Sequence, residues 1–271
     1  HSAGEIIRAA ADAGAELTSK PFAMGVRIEH PQDFIDKTQF GTLAGHCALG
    51  AASYRLVEQV DGAGVFSFCM CPGGVMVPAS TIPGQQVVNG WSPARRKGRF
   101  ANSGFVTEVG PSQLRAAGLD PDDLTAGLKL QERLECRAFA AGGGDYIAPA
   151  QTLRDFVEGT TGHTLPSSSY HRGLHAVDLS DVLGPLAPPL REALKILATK
   201  MPGFVSHDAV AVGVESRTSS PVRLVRDRDT LESKGLAGLY PCGEGAGYAG
   251  GIISAALDGV HVAAALRTRG R

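Results

Sequence analysis

Near the carboxyl end, the stretch GLYPCGEGAGYAGGIISAALDG (Gly238 to Gly259) crowds glycines ahead of an apolar run. Gly245, Gly247 and Gly250 match G-x-G-x-x-G, and the following IISAAL reads as the start of a helix. Bare amides at a helix N-terminus favour negative charge, so the turn is a place to lay an anionic or flat group. A turn that reads the adenosine half of a dinucleotide needs a second strand with an acidic residue roughly 20 positions on. Here only the helix IISAALDGVHVAAALRTR follows, so that role is excluded. A purely structural role stays open, in which Gly250 and Gly251 let the last helix pack closely on a sheet.

Three other groups carry usable chemistry. In FCMCPGG, Cys69 and Cys71 alternate and, in a regular strand, face one side. They read as inert buried thiols, a redox pair, or residues beside a ligand; C-x-C with no second pair is poor zinc spacing, so no metal is expected. Pro72, Gly73 and Gly74 permit close approach to a planar ligand. ESRTSSPVR offers Arg217, Ser219, Ser220 and Arg223, which suit a carboxylate or polar substrate and equally an ordinary polar turn. In VRIEHP, Arg27 and Glu29 share a face that His30 opposes, as in a cross-strand salt bridge or, more boldly, a proton donor to substrate. Arg95 to Lys97 read as a solvated loop. Patterns for serine hydrolases, zinc proteases and P-loops are absent from the sequence.

These residues must be placed by a sizeable fold. The chain has 271 residues, 43% apolar and 20% charged, enough for one large or two modest domains. A net charge of -1 supplies no basic field for nucleic acid or anionic lipid, which points to a small-molecule partner. No apolar run reaches the roughly 18 residues of a bilayer crossing, so no membrane partner is expected. Five scattered cysteines suit a reducing cytoplasm.

The first residues, HSAGEIIRAAADAGAEL, read as a helix running into a strand, the second half of a βαβ unit. Residues 21–110 alternate as strands with a possible hairpin turn at Asn89-Gly90; residues 111–205 read as a helical lobe, opened by Asp120 and Pro121 and striped with Leu124, Leu128, Leu130 and Leu134. Residues 206–234 return to β alternation, and LAGLYPC reads as one more buried strand before the glycine turn. The expected organisation is α/β. Residues 1–20 and 235–271 form one domain, interrupted by a second over 21–234 that holds an antiparallel sheet and a helical lobe.

Taken in order, KPFAMGVRIEHPQ, SFCMCPGG, GGGDYIAPAQ, ESRTSSPVR and LYPCGEGAGYAGGIISAALDG resemble a bacterial family of FAD-dependent dehydrogenases. These belong to the flavoproteins whose Rossmann-type FAD domain is interrupted by a second domain. The resemblance implies an oxidoreductase in which Gly243, Glu244, Gly245, Gly247, Tyr248, Gly250, Gly251 and Ile252 close over the ribityl chain and ring of FAD. Glu244 would accept hydrogen bonds from ribityl hydroxyls, and Cys71, Pro72, Gly73, Gly74, Arg217, Ser219 and Ser220 would face the flavin or substrate. The family's N-terminal adenosine-binding turn has no counterpart here, so the expectation is a C-terminal fragment that binds FAD weakly or not at all by itself. The competing expectation is a non-catalytic binding or interaction module whose glycine turn is structural.

Overall fold

A computed structural model describes residues 4–162 and 164–269. In chain order the elements are α1 (Glu5–Asp12), β1 (Leu17–Ser19), β2 (Phe22–Pro31), α2 (Gln32–Phe40), β3 (Val57–Val60), β4 (Ala63–Pro78), β5 (Val88–Trp91), β6 (Phe100–Val109) and α3 (Pro111–Ala116). Then come α4 (Ala126–Ala141), β7 (Ala148–Thr152), α5 (Leu153–Glu158), β8 (Leu174–Ala176), α6 (Leu179–Leu183), α7 (Ala187–Lys200), β9 (Val210–Glu215), β10 (Val222–Leu224) and α8 (Ile252–Arg269). The fold is mixed α/β. The first three residues of the expected N-terminal helix lie outside the described residues.

The chain divides into two compact units. One comprises His1–Phe22, Val109–Glu132 and Arg217–Arg271; the other comprises Ala23–Glu108 and Arg133–Ser216. Among the described residues, the second unit is built on an eight-stranded sheet in the order β3-β4-β6-β2-β9-β7-β8, with β5 paired to β4. β2 runs antiparallel to β9, setting Arg27 opposite Val212 and Glu29 opposite Val210. Met76, Val88, Ala148, Ala150, Tyr170, Val210 and Val212 form one apolar cluster of this unit. His30 takes the opposite face of β2, as alternation requires, and its ring lies 4.2 Å from that of Phe204 and near those of Phe34 and Tyr54.

The first unit has a smaller, alanine-rich core. Its two-stranded ladder pairs Leu17 with Leu224 and Ser19 with Val222. Ala10, Ala15, Leu224 and Ala246 pack together, and Ile7, Leu128 and Val222 form a second cluster.

Five expectations need correction. Asn89 and Gly90 are not a hairpin turn: they lie within β5, opposite Val77 and Met76 of β4. LAGLYPC is not a strand: Gly238 sits at φ +80, its amide bonded to Glu232, and Pro241 brings no amide to a ladder. The 111–205 region is not purely helical, because APAQT forms the fully buried strand β7, which is only five residues long and carries a proline. The helix expected from Asp120 starts at Ala126; Asp120 accepts from the Asp122 amide and Asp123 from Thr125, holding the preceding residues in turns. Cys69 and Cys71 do not share a face. β4 is bulged on both sides of Cys71 and Cys69 has φ +45, so Cys69 is exposed while Cys71 is buried.

Candidate functional site

The glycine turn is built against β10. The Leu224 amide donates to the Ala246 carbonyl at 3.2 Å, and Arg223 Nε donates to the Gly247 carbonyl at 3.1 Å. Gly247 adopts φ +87, and a Cβ there would stand 2.7 Å from the Val222 carbonyl, so only glycine lets the turn lie on the strand. Inside the turn the Gly247 and Tyr248 amides bond to the Glu244 and Gly243 carbonyls at 3.0 Å each. Tyr248 serves as the anchor. Its hydroxyl donates to the Leu224 carbonyl at 2.9 Å and accepts from the Arg226 amide at 2.9 Å, while the Arg226 guanidinium lies 3.7 Å from its ring centroid.

Arg226 ties this turn to α8. It makes a two-pronged pair with Asp258 at 2.7 and 3.0 Å, and Asp258 also accepts from the Gly243 amide at 2.8 Å. Those bonds hold the Asp258 carboxyl below the usual carboxylate range.

What the turn leaves open lies further on. The first helical bond runs from the Ala255 amide to the Gly251 carbonyl at 2.9 Å, so the amides of Ile252, Ile253 and Ser254 precede the helical ladder. A Cβ at Gly250 would meet nothing within 4 Å, and one at Gly251 only the Ser254 hydroxyl at 3.8 Å. Ile252 and Ile253 are 88% and 73% exposed. The close helix packing that would make Gly250 and Gly251 purely structural is therefore not their environment. At the other end of the turn, burial raises the pKa of Glu244 and the charge of Lys20 opposes that rise.

Arg217 and Ser219 are half-buried in this same unit. Arg217 donates to Gln131 at 3.2 Å, and the Ser220 hydroxyl donates to the Val222 carbonyl at 2.8 Å. Cys71 to Gly74 belong to the other unit. There Gly73 sits at φ +54, where a Cβ would strike the Arg96 carbonyl, and a Cβ at Gly74 would stand 2.7 Å from the Trp91 carbonyl. Both glycines thus serve backbone against backbone.

The same unit holds a buried polar network that the sequence only half disclosed. Arg27, fully buried, donates to Asn102 at 2.7 Å, Glu215 at 3.1 Å, the Cys69 carbonyl at 2.8 Å and Cys71 Sγ at 3.3 Å. The expected cross-strand salt bridge therefore exists, with Glu215 of β9 as partner. Glu29 instead accepts from the amide of Ser169 at 2.9 Å and from its hydroxyl. Burial raises the pKa of both Glu29 and Glu215, with Ser169 and Arg27 respectively opposing it. His30 is held neutral by burial, its pKa lowered to about 4, with Nε2 2.8 Å from the Phe204 carbonyl. Glu215, Asn102, Ser169 and Asp258 escaped the sequence reading. Glu215 opens the ESRTSSPVR block and was the one of these four with a signal, an acid ending an apolar β run.

One unit presents a glycine turn anchored on a strand and opening into a helix, the other a mixed sheet, and together they define an α/β protein. Residues 21–218 match the family model "FAD-dependent protein, C-terminal domain-like", and the chain belongs to this family of FAD-dependent proteins. A relative from Clostridium beijerinckii, called an uncharacterized protein, is 43% identical over 254 residues, covering 91% of this chain and 46% of the relative. The chain thus spans about half the length of the curated relative it matches. Among the described residues no helix is long and apolar enough to cross a membrane.

Proposed function

We propose that this chain is part of an FAD-dependent oxidoreductase, in which the turn from Gly243 to Ile252 closes over the flavin end of the cofactor. The observation that carries this reading is the open start of α8. Amides ahead of the helical ladder, two glycines with free space and an exposed isoleucine offer a flat, donor-rich surface. FAD, when bound, would supply the electron-transfer chemistry itself. The amides of Gly250 to Ile252, backed by the dipole of an 18-residue helix, would stabilise negative charge on the ring's polar edge. Glu244 would accept hydrogen bonds from ribityl hydroxyls. Arg217 and Ser219 would orient a polar substrate. Tyr248, Gly243 and Gly247 shape the turn, and the proposal gives Cys71 to Gly74 no contact with flavin.

The length of the Clostridium relative supports a flavin site completed by further polypeptide. FAD titrated into this chain should bind weakly, and into a protein of the relative's length tightly. Gly250→Leu, whose Cβ meets no atom within 4 Å, should leave the melting transition in place and abolish the flavin absorbance that co-elutes with the longer protein. Unchanged flavin content in that variant would overturn the assignment. Flavin in neither protein would favour an interaction module. The exposed Ile252, Ile253, Leu257 and Val260 of α8 would be its contact surface.

A further inference from the structure

Arg95 to Lys97 read from sequence as a solvated loop, yet the larger unit gives the segment Ser92 to Arg99 a defined wall. Arg96, Lys97 and Arg99 line an open cavity of about 770 Å³ together with His46, Cys47 and Ser167. Among the described residues none of these three cations pairs with a carboxylate. The same cavity also carries two acids. Asp33 pairs with Lys37 at 3.1 Å, and Asp36 accepts from Gln32 at 2.8 Å and from the Ala52 amide at 2.7 Å. His46 Nδ1 accepts from the Ala48 amide at 3.2 Å, which leaves Nε2 as the ring's donor.

The cationic loop is held in place before any ligand arrives. The Gly98 amide donates to the Gly73 carbonyl at 3.1 Å, the Gln32 amide to the Arg99 carbonyl at 2.8 Å, and the Gly73 amide to Gln32 Oε1 at 2.6 Å. Ser92 Oγ donates to the Pro72 carbonyl at 3.0 Å. Arg96 itself takes φ +47, back to back with Gly73 at φ +54. The Pro72-Gly73-Gly74 turn thus has a definite task, bringing the loop's backbone close enough to be bonded. The bonds fix the loop backbone, so an anion would have to order only the exposed side chains of Arg96, Lys97 and Arg99.

We propose that this cavity binds a small molecule bearing at least two carboxylate or phosphate groups, held by Arg96, Lys97 and Arg99. With Asp33 bridged to Lys37, the three cations outnumber the one remaining acid of the lining, Asp36, and the volume falls in the range of small-molecule sites. In a chain of net charge -1 the positive field is local, which suits a compact anion over a nucleic acid. The proposal does not rest on the flavin reading.

The test uses the purified chain with pyrophosphate and citrate as probes, followed by calorimetry and by alkylation of the exposed Cys47, resolved by mass spectrometry. Binding of either probe should slow alkylation of Cys47 and leave that of Cys242 unchanged; the preferred probe distinguishes phosphate from carboxylate. The triple variant Arg96→Gln, Lys97→Gln, Arg99→Gln should bind about tenfold more weakly or worse. A control triple, Arg115→Gln, Arg172→Gln, Arg228→Gln, removes the same charge elsewhere and should bind as the parent does. Lys97→Gln alone, read the same way, serves if the first triple does not fold. No binding of either probe at millimolar concentration, equal binding by the two triples, or unprotected Cys47 would each overturn the proposal.

Discussion

The turn before α8 and the network around Arg27 are both polar, and they are built in opposite ways. Around Arg27 the guanidinium is sealed inside a sheet, and its bonds go to Asn102, Glu215 and the Cys69 carbonyl on neighbouring strands. At the start of α8 the polar groups are backbone amides, held from behind by Tyr248, Arg226 and Asp258 and open in front. The first arrangement spends its hydrogen-bonding capacity on the fold. The second keeps capacity in reserve, which is what a binding surface requires.

That contrast is open to direct attack. Arg27→Leu strands the buried Glu215 without its cation and should cost about 3–5 kcal/mol in denaturant unfolding. Adding Glu215→Leu should recover much of that loss, because the uncompensated charge goes with it. If Arg27→Leu alone were neutral, the network would not be the structural centre described.

The pH dependence probes the same unit. His30 is neutral when folded, with a pKa of about 4, whereas the unfolded chain binds a proton near 6.5. Its contribution is therefore present above pH 6.5 and lost as pH falls towards 4, on the order of 3 kcal/mol in full. Glu29 acts with the opposite sign. Its raised folded pKa makes its contribution complete below the ordinary value of 4.5, and stability falls as pH rises from there through the folded pKa. Melting curves for His30→Gln and Glu29→Gln should each lose one of these two slopes; an unchanged profile for either would remove that group from the account.

Smaller effects separate the two kinds of glycine in one motif. Gly247→Ala forces a side chain into φ +87 against the Val222 carbonyl and should cost about 1–3 kcal/mol, whereas Gly250→Leu should cost almost nothing in stability. Equal costs at the two positions would erase the distinction between packed and open backbone. Tyr248→Phe forfeits the bonds to Leu224 and Arg226 for about 1 kcal/mol. A flavin titration on the same variant would show how firmly the turn must be held.

Much of the β architecture was legible in the alternation of residues 21–110, and the last helix in its apolar run. β7 was not, because APAQT is only five residues long and carries a proline and a single β-branched residue. Nor was the fate of LAGLYPC, where apolar residues pack from an irregular loop, so the strand expected ahead of the glycine motif is missing and β10 takes the supporting place. The cysteine pair misled for a local reason, since a bulge reverses the facing of every residue beyond it.

From the sequence alone came the class of the chain, the presence of a glycine turn leading into a helix, and the alternation that sets His30 against Arg27 and Glu29. These follow from local rules of backbone sterics and side-chain period, which need no distant partner. Only the tertiary structure decided that Arg27 pairs with Glu215, that Gly247 is locked while Gly250 is free, and that three loop cations share a cavity with His46 and Cys47. Each of those outcomes depends on which strand or loop lies alongside, and the side chains that meet there are separated by tens to nearly two hundred residues of chain.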